Sequence, residues 1–181
     1  MATIRIRNTG ERIAGEERVA AFLADQGVYC EHWELAAVPA HIRDRFDLSD
    51  ADKEALLASL SPQIERLARA RGYVKRDVVC LSEATPNLEE LLKKFEQVHT
   101  HTEDEVRAVA AGDGIFIIKG RSGTGYFDVA LEPGDVISVP ENNPHFFTLA
   151  ARRRVVAVRL FSDPSGWVAH PFEDPEFAAA R

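Results

Sequence analysis

The sequence predicts a mainly β protein: an antiparallel sandwich or barrel with several α-helices packed outside it, mostly from the N-terminal half. Three observations support this fold class. Helical periodicity is confined to residues 1–94; short apolar runs follow one another after that point; and turn residues separate these runs at the spacing of strands in an all-β domain. The chain of 181 residues is long enough to bury one sizeable core.

Capping residues and apolar spacing indicate four helices in the first half. Ser49 begins the clearest of them, because its hydroxyl can accept a backbone N–H and Asp52 stands three residues later, as in a capping box. The other predicted helices are 15–25, one that begins at Ser61-Pro62 and ends before Gly72, and a short one that begins at Thr85-Pro86. Two β-rich pieces, 28–35 and 73–81, lie between the helices.

The second half is a series of predicted strands. They are 95–101, 105–110, 115–119, 126–131, 136–139, 145–149 and 155–161. The chain shows no internal repeat and no low-complexity linker. We therefore expect one domain over residues 1–181, in which a mixed helical and β region, residues 1–94, packs on a barrel core formed by residues 95–167.

Charge and cysteine usage limit the partners and the compartment. Lys and Arg number 22 against 29 Asp and Glu, so the net charge of −7 argues against a nucleic-acid partner. No apolar run approaches the roughly 20 residues of a membrane span, and no signal peptide is evident. Cys30 and Cys80 lack CxxC spacing, which favours a reduced, cytoplasmic protein and leaves a disulfide between them open. The acidic balance favours a monomer.

A cluster of histidines and a glutamate indicates a metal site. His99 and His101 project from one side of a strand, because side chains at i and i+2 share a face. The polar residues 102–104 can turn the chain, so that Glu105 enters the neighbouring strand beside the imidazoles. His145, after a proline-containing turn, is a fourth candidate. This donor set suits Fe(II), Ni(II) or Mn(II), whereas structural zinc more often uses cysteines. The alternative is that the histidines lie on a solvent face.

The spacing of these residues resembles the cupin superfamily, whose first motif is G-x5-HxH-x3,4-E-x6-G. His99, His101, Glu105 and Gly112 fit it, although Lys93 stands at the leading glycine. The second motif is met at Gly134, Pro140 and His145 and differs at Asn142 and Leu149. The resemblance implies a jelly-roll-like cupin β-barrel. Because cupins host many activities, the fold alone leaves the function open.

More specific features resemble the acireductone dioxygenases, especially their bacterial branch. The matching features are residues 99–107, residues 139–147, Arg159 and Trp167. The resemblance extends over about residues 4–172 and is strongest over 95–167. It implies a metal-dependent dioxygenase of methionine salvage that cleaves 1,2-dihydroxy-3-keto-5-methylthiopentene with O2.

The metal is expected to decide the products in this family. The resemblance implies one Fe(II) or Ni(II) per chain, held by His99, His101, Glu105 and His145. The iron form yields 4-methylthio-2-oxobutanoate and formate, and the nickel form yields 3-methylthiopropionate, formate and carbon monoxide. The sequence does not select between the two metals.

Two arginines are candidate catalytic residues. Arg107 shares the strand parity of Glu105 and is expected to face the same lumen; the alternative is a surface salt bridge with Glu103 or Asp104. Arg159 interrupts an apolar run. A buried arginine is costly without an anion, which an enediolate would supply; the alternative is that Arg159 points outward from an edge strand.

Three aromatic residues are candidates for the substrate pocket. Phe95, Phe147 and Trp167 could hold a thioether tail by dispersion and sulfur–aromatic contact, and matching positions of the family are associated with the pocket. The alternative is that they are ordinary core residues. Other interpretations of the whole chain are a quercetinase-like dioxygenase, a sugar-phosphate isomerase or a non-catalytic ligand-binding cupin.

Overall fold

The computed structural model describes residues 1–179, except for the side chains at 164, 167, 178 and 179. The strands are β1 Thr3–Ile6, β2 Arg12–Ile13, β3 Tyr29–His32, β4 Lys75–Leu81, β5 His99–Thr100, β6 Glu105–Gly112, β7 Gly114–Lys119, β8 Tyr126–Leu131, β9 Asp135–Val139, β10 His145–Leu149, β11 Val155–Phe161 and β12 His170–Pro171. The helices are α1 Glu16–Asp25, α2 Ala40–Arg43, α3 Asp50–Ser59, α4 Ser61–Arg71, α5 Leu88–Phe95 and α6 Pro175–Ala179, and a 3₁₀ turn spans Pro164–Trp167.

The strands form two antiparallel sheets. One has seven strands in the order β12-β5-β10-β7-β8-β1-β2, and the other has five in the order β3-β9-β6-β11-β4. The predicted fold class, mainly β with antiparallel strands and helices outside, is confirmed. The strand ladders form two separate sheets, so the barrel is not closed by one continuous ladder.

Alternation along the strands separates a core layer between the two sheets from apolar layers on their outer faces. On β11, Val155 and Ala157 pack between the sheets, whereas Val156 and Val158 pack on the outer face of the five-stranded sheet. Leu56 of α3 and Leu67 of α4 belong to that outer cluster. Since both faces of this sheet are covered, its strands carry nearly continuous apolar runs.

The helix boundaries confirm some capping signals and correct others. The Ser49 hydroxyl accepts the Asp52 N–H at 3.2 Å, so the predicted capping box is present. Gly72 ends α4 with φ +81°, as predicted. Ser61 is not the N-cap of α4, which is Leu60; the Ser61 hydroxyl instead donates to Glu65 within the helix.

The structure also corrects two predicted element boundaries. The helix expected at Thr85-Pro86 begins later, at Leu88, because the Thr85 hydroxyl accepts the Ser82 N–H and closes a turn first. The strand expected over 95–101 is only β5, and Phe95 is the last residue of α5.

The cysteines and the helix lengths bear on two further expectations. Cys30 and Cys80 are both free thiols, so the disulfide left open by the sequence is absent. Within residues 1–179, no helix has the length and apolarity needed to cross a membrane.

Candidate metal centre

Three short stretches of chain converge at one end of the space between the sheets. His99 on β5 lies directly opposite His145, the first residue of β10. His101 follows β5, and Glu105 is the first residue of β6. One ligand atom from each of the four residues lies within 4.8 Å of the others. All four are buried, with at most 9% exposure. The predicted HxH-x3-E segment and the distant histidine are thus brought together.

Backbone carbonyl groups orient the three imidazoles. Each ring places its Nδ1 within hydrogen-bond distance of a carbonyl oxygen, and because a carbonyl only accepts, Nδ1 carries the proton. Each Nε2 therefore presents a lone pair, which is the form that ligates a metal. The three bonds run from His99 to Gln97 at 2.6 Å, from His101 to Val168 at 2.9 Å and from His145 to Asn143 at 2.7 Å.

The carboxylate of Glu105 completes the donor set. Its Oε2 lies 2.7 Å from the Nε2 atom of His101 and 2.9 Å from that of His145. Oε1 lies 2.7 Å from Nη2 of Arg107. With Nδ1 protonated, a neutral imidazole presents Nε2 as an acceptor towards the carboxylate oxygen, so the approach is favourable when a proton or a metal ion lies between the two atoms. A donor set of three imidazoles and one carboxylate fits a single divalent first-row metal ion.

Burial and neighbouring charges favour the deprotonated forms of Glu105 and His99, which are the forms that a metal needs. Burial alone would raise the pKa of Glu105, but Arg107 and the imidazoles of His101 and His145 hold that pKa well below its usual range. Burial lowers the pKa of His99. Burial acts most strongly and lowers the pKa of His101, but the hydrogen bond and negative charge of Glu105, together with the hydrogen bond to Val168, outweigh it, so the pKa of His101 is raised. The carboxylate and at least one imidazole are thus set in their ligating states.

A cavity of about 220 Å³ is lined by three of the four residues, His99, His101 and Glu105. The other polar lining residues of the cavity are Lys94, Asp104, Arg107 and Arg159. Its apolar wall is formed by Val79, Leu81, Phe95, Phe147, Val155 and Ala157. The cavity can therefore receive a small molecule that has one anionic end and one apolar end.

The predicted aromatic residues are placed as follows. Phe95 is 37% exposed at the end of α5 and lines the cavity. Phe147 lines it from β10 and packs against Phe116, with ring centroids 5.2 Å apart. The side chain of Trp167 lies outside the described residues; the neighbouring Gly166 lines the cavity.

Both arginines line the cavity, and neither takes the alternative position considered for it. Arg107 pairs with Glu105 rather than with a neighbouring surface carboxylate. Arg159 does not lie on an edge strand, because β11 lies between β6 and β4. Arg159 already has an anion within the protein, since its Nε donates to Oδ1 of Asp77 at 2.6 Å. A bound substrate is therefore not needed to explain an arginine in this apolar run.

Two acidic residues beside the ligands, which the sequence suggested only as turn residues, make specific contacts. Asp104 accepts hydrogen bonds from the Tyr73 hydroxyl at 2.8 Å, from Arg71 at 3.0 Å and from the Glu141 N–H at 3.2 Å. These bonds hold the turn before Glu105 against α4 and the end of β9. Because the partners lie far away in the sequence, no local pattern signals this role.

Glu103 anchors a different segment. Its Oε2 accepts the backbone N–H groups of Ser162 and Asp163, at 3.0 and 3.2 Å. These residues immediately precede the 3₁₀ turn Pro164–Trp167, whose Gly166 lines the cavity. Glu103 therefore positions a segment that borders the cavity.

Comparison with known proteins agrees with this geometry. The ARD/ARD' family matches residues 53–169. An acireductone dioxygenase from Geobacillus thermodenitrificans is 64% identical over 176 residues, which cover 97% of this chain and 98% of the relative. The chain belongs to the ARD/ARD' family. An acireductone dioxygenase from Bacillus cereus is 48% identical over 168 residues, covering 93% of this chain and 98% of the relative.

A solved structure of the ARD/ARD' family has the same fold. The acireductone dioxygenase from Bacillus anthracis, with a cadmium ion in its active centre, superposes with a TM-score of 0.91 at 47% identity. The match covers 93% of this chain and 97% of that one. It confirms the cupin architecture that the sequence motifs predict.

Proposed function

We propose that the chain is an acireductone dioxygenase with one Fe(II) or Ni(II) ion, held by His99, His101, Glu105 and His145. The observation that carries the proposal is the buried group of three imidazoles and one carboxylate, with ligand atoms within 4.8 Å of one another, beside a cavity that contains two arginines. Membership of the ARD/ARD' family and the cadmium ion in the active centre of the Bacillus anthracis relative support it.

The proposed substrate is 1,2-dihydroxy-3-keto-5-methylthiopentene, cleaved with O2. A divalent metal bound here would supply a Lewis acid and a template for the two enediol oxygens. Arg107 and Arg159 act as catalytic residues that orient the anionic end and balance its charge. Phe95, Phe147 and Trp167 hold the methylthio tail, and the apolar wall keeps water away from the reacting end.

The proposal includes the products and the cellular setting. With iron the products are 4-methylthio-2-oxobutanoate and formate, and with nickel they are 3-methylthiopropionate, formate and carbon monoxide. The reaction belongs to methionine salvage. We place the protein in the cytoplasm as a monomer with a single cupin domain over 1–181; two free thiols suit a reducing compartment.

Product analysis with defined metals tests this function. Metal-stripped protein is reloaded with Fe(II) or with Ni(II), given the acireductone under O2, and the products are separated. We expect keto acid and formate from the iron form, and carbon monoxide from the nickel form alone. Stoichiometric metal binding without either product set would contradict the proposed substrate.

A further inference from the structure

We propose that Asp77 is a positioning residue of this site, which holds the Arg159 guanidinium at the cavity wall in the orientation that the substrate meets. The proposal rests on the proposed function, since it takes Arg159 as a substrate-contacting residue. No sequence pattern marks Asp77 as a member of the site, and its role is inferred from the sheet register and from the contacts of its carboxylate.

The contacts fix Arg159 as a rigid group. The β4–β11 ladder places Asp77 directly opposite Arg159. Nε donates to Oδ1 at 2.6 Å, and Nη2 donates to Oδ2. Two parallel bonds between a planar guanidinium and a carboxylate determine both the position and the plane of the guanidinium. The side chain of Arg159 is 23% exposed and that of Asp77 is 32% exposed, so the ion pair is partly shielded from water.

The place of Asp77 on its strand points to the cavity. Val79 and Leu81 lie two and four residues further along β4 and line the cavity. Side chains at this spacing share a face, so the carboxylate of Asp77 stands on the same face as two apolar wall residues. A carboxylate in such a place is costly unless it is paired, and Arg159 is its partner.

A second arginine explains why Arg159 needs a counter-charge. On the other side of β11, Arg107 of β6 lies directly opposite Arg159. The two guanidiniums repel each other in a cavity with an apolar wall. Glu105 balances Arg107, and Asp77 balances Arg159. Without Asp77, repulsion from Arg107 would favour rotation of Arg159 away from the cavity.

Kinetics of the holoenzyme test the proposal. Asp77→Asn keeps the shape of the side chain but removes its charge, so we expect the KM for the acireductone to rise about tenfold, with kcat changed much less and metal content unchanged. Asp77→Glu, which restores the charge, should recover most of the loss. Asp128→Asn is the matched control, since Asp128 accepts from Arg7 Nε at 2.5 Å with similar exposure on the other sheet. It should leave KM unchanged.

A double-mutant cycle separates positioning from a purely structural role. If Asp77 acts through Arg159, Asp77→Asn should add nothing to the KM of the Arg159→Met protein. A lowered Tm with an unchanged KM would overturn the proposal, as would a KM effect that persists fully in the Arg159→Met background.

A measurement without substrate keeps this proposal distinct from the proposed function. In the metal-loaded protein, NMR should find the Arg159 Nε–H protected from solvent exchange, and Asp77→Asn should remove the protection while Asp128→Asn keeps it. Protection that survives Asp77→Asn would overturn the positioning role. Absence of acireductone turnover in the unsubstituted protein, with this NMR result intact, would contradict the proposed function alone.

Discussion

His101 donates its Nδ1–H to the backbone carbonyl oxygen of Val168 at 2.9 Å, across 67 residues of sequence. Just beyond Val168, the chain forms β12, which pairs His170 with Thr100 and Pro171 with His99. The C-terminal segment therefore holds both the β5 strand and one of its imidazoles. This bond assigns the free lone pair of His101 to Nε2, the atom that faces Glu105.

Loss of a ligand should release the metal. We expect Glu105→Ala and His145→Ala to weaken metal affinity at least about 100-fold, since loss of an outer hydrogen-bond partner of a ligand already costs about 10- to 100-fold. His170→Ala is the control, because the His170 side chain is exposed. Metal per chain, measured after dialysis by mass spectrometry, checks this. Full occupancy in both ligand variants would remove these residues from the metal site.

The aromatic wall should select for the tail of the substrate. Phe147→Ala should raise the KM for the methylthio substrate about tenfold, because it removes apolar contact with the tail. An analogue with a methyl group as its tail should be affected much less. Phe172→Ala, an exposed aromatic that is absent from the cavity lining, serves as control. Equal loss for both substrates would show that Phe147 acts on the fold and not on the tail.

The turn between β6 and β7 depends on Gly112. Its φ is +73°, and an added Cβ would collide with the Arg154 carbonyl oxygen. Gly112→Ala should lower the free energy of unfolding by about 3 kcal/mol, from backbone strain and the clash together. Gly123→Ala, at φ +78° with open space around it, should cost only about 1–2 kcal/mol. Urea unfolding of both variants measures the difference; equal values would contradict a clash at residue 112.

Acid should weaken the attachment of the C-terminal segment. The Asp174 side chain, 5% exposed, accepts from Lys119 at 2.6 Å and from the Tyr126 hydroxyl at 2.8 Å. Burial would raise the pKa of Asp174, but these two donors, the Glu176 N–H and the charge of Lys119 together outweigh it and lower the pKa.

Because the folded pKa of Asp174 lies below the unfolded value of about 3.9, its stabilisation is complete above that value and is lost as the pH falls through the folded pKa. In Asp174→Asn, the free energy of unfolding should therefore fall less steeply as the pH is lowered. Asp25→Asn, at an exposed position, should leave this pH dependence unchanged. An unchanged pH dependence in Asp174→Asn would show that the contacts of Asp174 contribute no pH-dependent stability.

The sequence predicts those features of the site that depend on local spacing. Strand parity places His99 and His101 together, and a short turn returns the chain at Glu105. The sequence does not predict the contacts that Asp77 and Glu103 make at the site. Their partners lie 82 and 59 residues away, and these contacts depend on sheet register and loop packing. The fold follows the same rule. Runs such as β8 and β11 are long enough to show a strand pattern, whereas β5 and β12 have two residues each and exist through their ladder partners.

Oxygen uptake by a defined holoprotein tests the central claim most directly. Metal-stripped protein is reloaded with one equivalent of Fe(II), mixed with the acireductone, and followed with an oxygen electrode, with Glu105→Ala treated identically. We predict rapid uptake with formate and the keto acid formed in step, and uptake near the uncatalysed rate in the variant. No uptake above that rate by protein that retains its iron would contradict the assignment of this cupin site to acireductone cleavage.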